Sequence, residues 1–154
     1  VVEPHASRRE MAIALGATHT IDPVEGGKLA TKVRAIIPAG VQYALDTTGK
    51  NSVINAAVGA LAHQATLGIL AAPASAEDAL LSFDVISLLG LGYRIKGITE
   101  GDVDPARFIP RMVELFMDGK FPFDRLIANY PLSDINRAID EQYQGVCIKP
   151  VLIP

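Results

Sequence analysis

Val41-Gln42-Tyr43-Ala44-Leu45-Asp46-Thr47-Thr48-Gly49 reads as a strand, Val41 to Leu45, running into a small polar turn. Asn51 can then cap a helix through Leu61, and Ala65 to Leu70 follows as a buried strand. A strand, a helix of about ten residues and a second strand make a βαβ unit, whose crossover joins parallel strands. Upstream, Leu29, Val33, Ile36 and Ile37 recur at helical spacing until Pro38-Ala39-Gly40 breaks the pattern. His19-Thr20-Ile21-Asp22 is a short strand ended by Pro23.

The alternation extends to the beginning of the sequence. Ser7 and Glu10 form an S-x-x-E capping box for a helix that Gly16 stops. Val1-Val2-Glu3-Pro4 reads as the tail of a strand, and with no initiator Met a fragment of a longer chain is expected. In the other direction, Ala74-Ser75-Ala76-Glu77-Asp78 is a polar loop, Leu80 to Leu91 is almost wholly apolar, and Tyr93 to Ile98 is a further strand. The expected fold class is α/β, an incomplete doubly wound parallel sheet covered on both faces. Beyond Glu100-Gly101-Asp102 the pattern changes. Asp104-Pro105 is an N-cap with Pro at the first helical position, and Phe108, Ile109, Met112, Val113 and Phe116 give that helix one apolar face. Pro110 removes one of its hydrogen bonds and Gly119 ends it. Ser133 is expected to cap a last helix with Ile135 and Ile139 inward, and Ile148 to Ile153 is a terminal strand.

At 154 residues, 49% hydrophobic with a formal charge of −3, the chain suits a core-forming globular protein and gives no support for a nucleic-acid surface. No apolar run reaches the roughly 18 residues of a membrane helix, and a signal peptide is not expected. Cys147 is the only cysteine, which excludes an internal disulfide and a multi-cysteine zinc site. A cytoplasmic setting is the default.

Few residues could carry chemistry. An acidic residue ending the second strand of a dinucleotide-binding fold accepts hydrogen bonds from the adenosine ribose, and its charge repels a 2′-phosphate. Glu3 suits that role, against the plainer reading of a solvated loop charge. Arg8 and Arg9 would offset it and could meet a phosphate. The usual G-x-G-x-x-G turn is missing, and Gly90-Leu91-Gly92 stands in the wrong context to replace it. His5, His19 and His63 make no metal-ligand spacing, and His63 is expected at a helix end. Cys147, near a terminal strand, reads as a small buried apolar group.

Several segments together resemble the zinc-type medium-chain alcohol dehydrogenase family, over nearly the whole chain and in order. Glu3 followed thirteen residues later by Gly16-Ala17-Thr18-His19 is similar to its strand-end acid, helix and turn. Val41 to Gly49 resembles its fourth-strand segment, and Leu67-Gly68-Ile69-Leu70-Ala71-Ala72-Pro73 its fifth. Ile95-Lys96-Gly97-Ile98 with Glu100-Gly101 looks like the segment beside the nicotinamide. Arg107-Phe108-Ile109-Pro110 and Gly119-Lys120-Phe121-Pro122-Phe123-Asp124 are closest to the aryl- and benzyl-alcohol branch. Pro131 to Ala138 and Ile148-Lys149-Pro150-Val151 complete the match.

The resemblance implies a Rossmann-type cofactor domain over residues 1–99, lacking its first strand and Gly-rich turn. Residues 100–154 would return to the catalytic domain. Glu3 would hold the adenosine ribose with Arg8 beside it, and Thr47, Thr48 and Gly49 would border the cofactor. Leu70 and Ala72 would lie along the nicotinamide half, and backbone groups of Ile98 and Glu100 would meet its carboxamide. Lys149 would face the pyrophosphate, where relatives carry arginine. Ala71 and Ala72 stand where relatives often have glycine and valine, which narrows the approach. The implied activity is hydride transfer between an alcohol, aromatic alcohols among the expected substrates, and NAD in preference to NADP. In the whole enzyme zinc would act as a Lewis acid, its ligands lying outside this chain. Ala76 to Leu89 resembles the stretch through which family members form a homo-oligomer. The chain alone is expected to be inactive. Competing readings are a zinc-free quinone or enoyl reductase of the same superfamily, a non-catalytic dimerisation module, and an unrelated Rossmann enzyme such as a methyltransferase.

Overall fold

The computed structural model describes residues 1–24 and 26–154. In chain order its elements begin with helices α1 (Ala6–Ala14) and α2 (Leu29–Ile36), strand β1 (Val41–Asp46), helix α3 (Asn51–Gly59) and strand β2 (Leu61–Ile69). Helix α4 (Val85–Leu91), strand β3 (Arg94–Gly97), helix α5 (Pro105–Met117), strand β4 (Ile127–Pro131), helix α6 (Ile135–Tyr143) and strand β5 (Lys149–Ile153) follow. They fall into two compact units, Gly26–Val103 and Val1–Glu25 with Asp104–Pro154.

The first unit is built on a parallel sheet in the order β1-β2-β3. The βαβ reading therefore holds, and the α/β class with it. Registered pairs place Ala44, Leu67 and Ile95 on one face, and Leu45, Gly68 and Lys96 on the other. The first face carries the core, where Leu61 and Leu67 are fully buried with Ile54, Ala62, Ala65 and Tyr93 around them. Burying each such leucine is worth about 1.5–3 kcal/mol. Helices α3 and α4 supply Ala57, Val58, Leu88 and Leu91 to that core. On the opposite face Tyr43 is 82% exposed and Leu45 59%. Within this unit the sheet is thus covered on one face rather than both, because the helices that pack on it do so from one side.

Three expected caps in the chain are different. Asn51 is the first residue of α3, and its cap position is Lys50. The amide of Asn51 instead donates to the Asp78 carboxylate at 2.9 Å, and its side chain donates to the Leu80 carbonyl at 2.7 Å. His63, expected at a helix end, lies exposed in β2 because α3 already stops at Gly59. Asp84, whose side chain accepts from the amides of Ile86 and Ser87, is the cap of α4.

In the second unit Val2 bridges Ile21 in parallel, all that forms of the strand expected at residues 19–22. The Ser7–Glu10 capping box does not form: His5 is the cap residue of α1, without a side-chain bond. Ser7 Oγ instead donates to the Gly145 carbonyl at 2.8 Å, a partner 138 residues away. Asp104 caps α5 through the Ala106 amide with Pro105 first in the helix and Pro110 inside it, as read. The apolar face of α5 is largely open, with Ile109 58% and Val113 53% exposed. Ser133 bonds Asp134 rather than capping α6. Ile135 and Ile139 are exposed, and the residue that α6 buries is Ala138. Ala138 packs with Tyr130 of β4 and Cys147, the parallel pair β4-β5 lying beside it. Cys147 is buried, as a small apolar group should be.

Candidate cofactor-binding site

The carboxyl ends of parallel strands open into loops, and ligands of open α/β sheets bind there. In the first unit the loop after β1 is organised by Asp46, which is 4% exposed. Its carboxylate accepts from Thr48 N at 3.2 Å, Thr48 Oγ1 at 2.7 Å and Gly49 N at 2.9 Å. A buried carboxylate costs free energy unless such donors satisfy it, so the turn and the charge hold one another in place. Gly49 has φ +64, and a Cβ there would run into the Ala72 carbonyl and lie 3.2 Å from Pro73 Cα. Two loops at the sheet's carboxyl end therefore touch backbone to backbone, which only glycine permits.

Leu70, 43% exposed, donates its amide to the Asp46 carbonyl at 3.0 Å, and Ala72 is exposed beyond it. Thr47 is exposed on the rim of the same turn. Ile98 donates its amide to Ile69 O at 2.9 Å, which commits that N–H to the sheet. Glu100, Gly101 and Asp102 have φ of +48, +78 and +54, a left-handed run unusual for the two acidic residues. Thr99 and Asp102 close a reciprocal cap around that run, and Lys96 pairs with Asp102 at 2.6 Å. The Lys96 ammonium, followed by the Thr99 amide, holds the Asp102 carboxyl below the usual aspartate range. Five expected positions thus stand on loops that follow β1 and β2, and Ile98 and Glu100 follow β3.

Glu3, Arg8 and Lys149 belong to the other unit. Glu3 Oε1 accepts from the His5 amide at 2.9 Å. Arg9 donates to the Glu3 and Pro4 carbonyls at 2.7 Å and pairs with Asp22 at 3.0 Å, so it is bound to protein rather than poised for a phosphate. Arg8 Nη2 donates to the Gln142 carbonyl at 2.6 Å, and its buried Nε has no partner among the described residues. Lys149 opens β5 and is exposed.

Two residues of consequence escaped the sequence reading. Asp46 was signalled by its place two before Thr48 and three before Gly49, the spacing of a side chain bonding its own turn. Asp78 had a local signal only in its pairing with Ser75 three residues before it; its other partner, the start of α3, lies 27 residues away. The Asn51 amide, then the Ser75 hydroxyl, draw the Asp78 carboxyl below its ordinary value. Among the described residues no three His, Cys, Asp or Glu come together as a metal site.

A parallel sheet with helices on it, its carboxyl-end loops in backbone contact, defines an α/β protein of the class that binds ligands at that end. Residues 1–118 match the family model described as zinc-binding dehydrogenase. The chain is 42% identical to geraniol dehydrogenase of Castellaniella defragrans, across 99% of its own length and 40% of that protein's. Among solved structures it is similar to an alcohol dehydrogenase zinc-binding domain protein of Burkholderia ambifaria, with TM-score 0.91 and 42% identity over 99% of this chain and 41% of that one. Benzyl alcohol dehydrogenase of Acinetobacter calcoaceticus gives TM-score 0.91 and 36% identity over 98% and 41%. The chain belongs to the zinc-type alcohol dehydrogenases of the medium-chain family. It spans about 40% of the length of the curated relatives it matches.

Proposed function

We propose that this chain is the nicotinamide-binding part of an NAD-linked alcohol dehydrogenase. The observation that carries the reading is the approach of the loops after β1 and β2, where the Asp46-held turn seats Gly49 against Ala72 and Pro73. These residues fit a dinucleotide: a cradle closed by backbone, polar groups of Thr47 and Thr48 at its rim, and an apolar wall from Leu70. NAD, when bound, supplies the acceptor for hydride. Thr48, Gly49, Leu70 and Ala72 orient it, and the carbonyl of Ile98 with the backbone of Glu100 receives its carboxamide. Glu3 takes the adenosine ribose and disfavours the 2′-phosphate of NADP, while Lys149 offsets the pyrophosphate charge. Residues 1–99 would form the cofactor domain, and residues 100–154 would belong to the catalytic domain.

Among the described residues no three His, Cys, Asp or Glu come together to hold zinc; in the whole enzyme the metal would be held by residues outside this chain. Likeness to benzyl alcohol and geraniol dehydrogenases supports a primary alcohol with an unsaturated or aromatic carbon skeleton as substrate. Leu80, Val85, Ile86 and Leu89 are each at least 62% exposed, which supports a second copy packing on residues 76–89. No helix of the described residues is long and apolar enough to cross a membrane.

The test is turnover. Purified 154-residue chain mixed with NAD, zinc and benzyl alcohol or geraniol should give no reduced nicotinamide absorbance. Sustained reduction by this chain alone would overturn the assignment of the chemistry to other residues.

A further inference from the structure

We infer that Arg8 is a positioning residue: it clasps α1 to the carboxyl end of α6 and thereby sets where Lys149 stands relative to Glu3. This rests on the cofactor reading above, which gives Glu3 and Lys149 neighbouring parts of one ligand, its adenosine ribose and its pyrophosphate. The resemblance puts Arg8 beside the ribose as a direct ligand; its bonding here assigns it differently.

The contacts form one connected run inside a single unit. Glu3 accepts from the His5 amide, and the chain then enters α1. Ser7 Oγ reaches the Gly145 carbonyl at 2.8 Å and Arg8 Nη2 the Gln142 carbonyl at 2.6 Å. The Gln142 carbonyl also accepts from the Gly145 amide at 3.2 Å, so the guanidinium adds a second, charged donor there and meets the negative end of the helix dipole. Gly145 has φ +76, and a Cβ there would come within 2.6 Å of His5 Nδ1, so the turn after α6 lies directly on the entry to α1.

From Gln142 the run continues to the lysine. Gln142 Nε2 donates to the Ile148 carbonyl at 3.3 Å, and the Val146 amide donates to Glu141 O at 2.9 Å. The five residues between α6 and β5 are thereby fastened to the helix end that Arg8 holds, and Lys149 is the next residue. Removing Arg8 takes away one of the two donors to the Gln142 carbonyl, the other being the Gly145 amide at 3.2 Å, and loosens residues 144–148, which shifts Lys149 at the start of β5 from the position that serves a pyrophosphate. Glu3 keeps its own anchors, the Ile21 carbonyl and Arg9.

Two measurements test this on the 154-residue chain. Amide hydrogen exchange without ligand should be about tenfold or more faster at Val146 and Cys147 in Arg8→Ala, with β1–β3 unchanged and Arg8→Lys restoring most of the protection. ADP-ribose affinity, titrated at millimolar concentration by NMR, should then be read for Arg8→Ala, Lys149→Ala and the double variant. A residue acting through Lys149 gives a double variant about as weak as Lys149→Ala alone, each roughly tenfold below the unsubstituted chain. Additive losses make Arg8 a direct ligand and overturn the inference, as does unchanged exchange. No ADP-ribose binding by the unsubstituted chain overturns the cofactor reading and this inference with it, whereas binding with unchanged exchange overturns the inference alone.

Discussion

Replacing Gly49 by alanine isolates the contact on which the cofactor site depends. Two costs add. A left-handed backbone with a Cβ costs about 1–2 kcal/mol. The new carbon meets the Ala72 carbonyl and Pro73 Cα, which are backbone and cannot rotate aside. Forcing an extra carbon into such a packed place costs about 1–3 kcal/mol. The sum is roughly 2–5 kcal/mol, or a melting temperature lower by at least about 4 °C for a chain of this size. Gly119→Ala separates the terms, because Gly119 has φ +71 but nothing within 4 Å of its would-be Cβ. It should lose only the conformational part, about 1–2 kcal/mol. Gly90→Ala, inside α4 with open space around it, should gain up to about 1 kcal/mol from helix propensity. Urea unfolding followed by circular dichroism gives all three from the midpoints at constant m. A Gly49→Ala chain no less stable than Gly119→Ala would refute the close approach of the two loops.

The core makes its own prediction at Tyr93, which is 4% exposed and whose hydroxyl has no partner among the described residues. Tyr93→Phe should be neutral or stabilising by about 1 kcal/mol, since a buried donor without a partner costs more than its absence; a clear loss in urea unfolding would show that the hydroxyl is satisfied. Leu67→Ala should cost about 2–5 kcal/mol in the same assay, a loss under 1 kcal/mol being incompatible with a packed sheet core. Asp78 has a lowered carboxyl pKa, so its stabilisation is complete above the ordinary aspartate value of about 3.9 and disappears as pH falls through the lowered one. Asp78→Asn should accordingly be less stable than the parent at pH 7, and the gap should narrow on titrating to about pH 2.

The parts of the fold legible in the sequence are those whose cause is local. Asp104-Pro105 bonds and starts α5 as read, because both the cap acceptor and the fixed φ of proline act within three residues. The strands β1 and β2 were readable from apolar runs bounded by turn residues. Ser133 was misleading because it bonds its neighbour Asp134, whereas Ser7 and Asn51 misled for a common reason. Each is a good cap residue by type, yet Ser7 found the Gly145 carbonyl and Asn51 the Leu80 carbonyl, partners that no local window contains. Ile135 and Ile139 lie at helical spacing, but α6 turns Ala138 inward against Tyr130. In the candidate site, the turn at Thr47 to Gly49 could be located from sequence, while the buried Asp46 that shapes it and the bond from Arg8 to the Gln142 carbonyl required the fold.

The central claim is that the loops after β1, β2 and β3 receive a nicotinamide dinucleotide. Backbone NMR of the labelled 154-residue chain, titrated with NAD to millimolar concentration, reads it directly. The account predicts weak, saturable shifts centred on the amides of Thr48, Gly49, Leu70, Ala72 and Glu100, with a second group at Glu3 and Lys149. Shifts confined to other surfaces, or none at millimolar NAD, would contradict it.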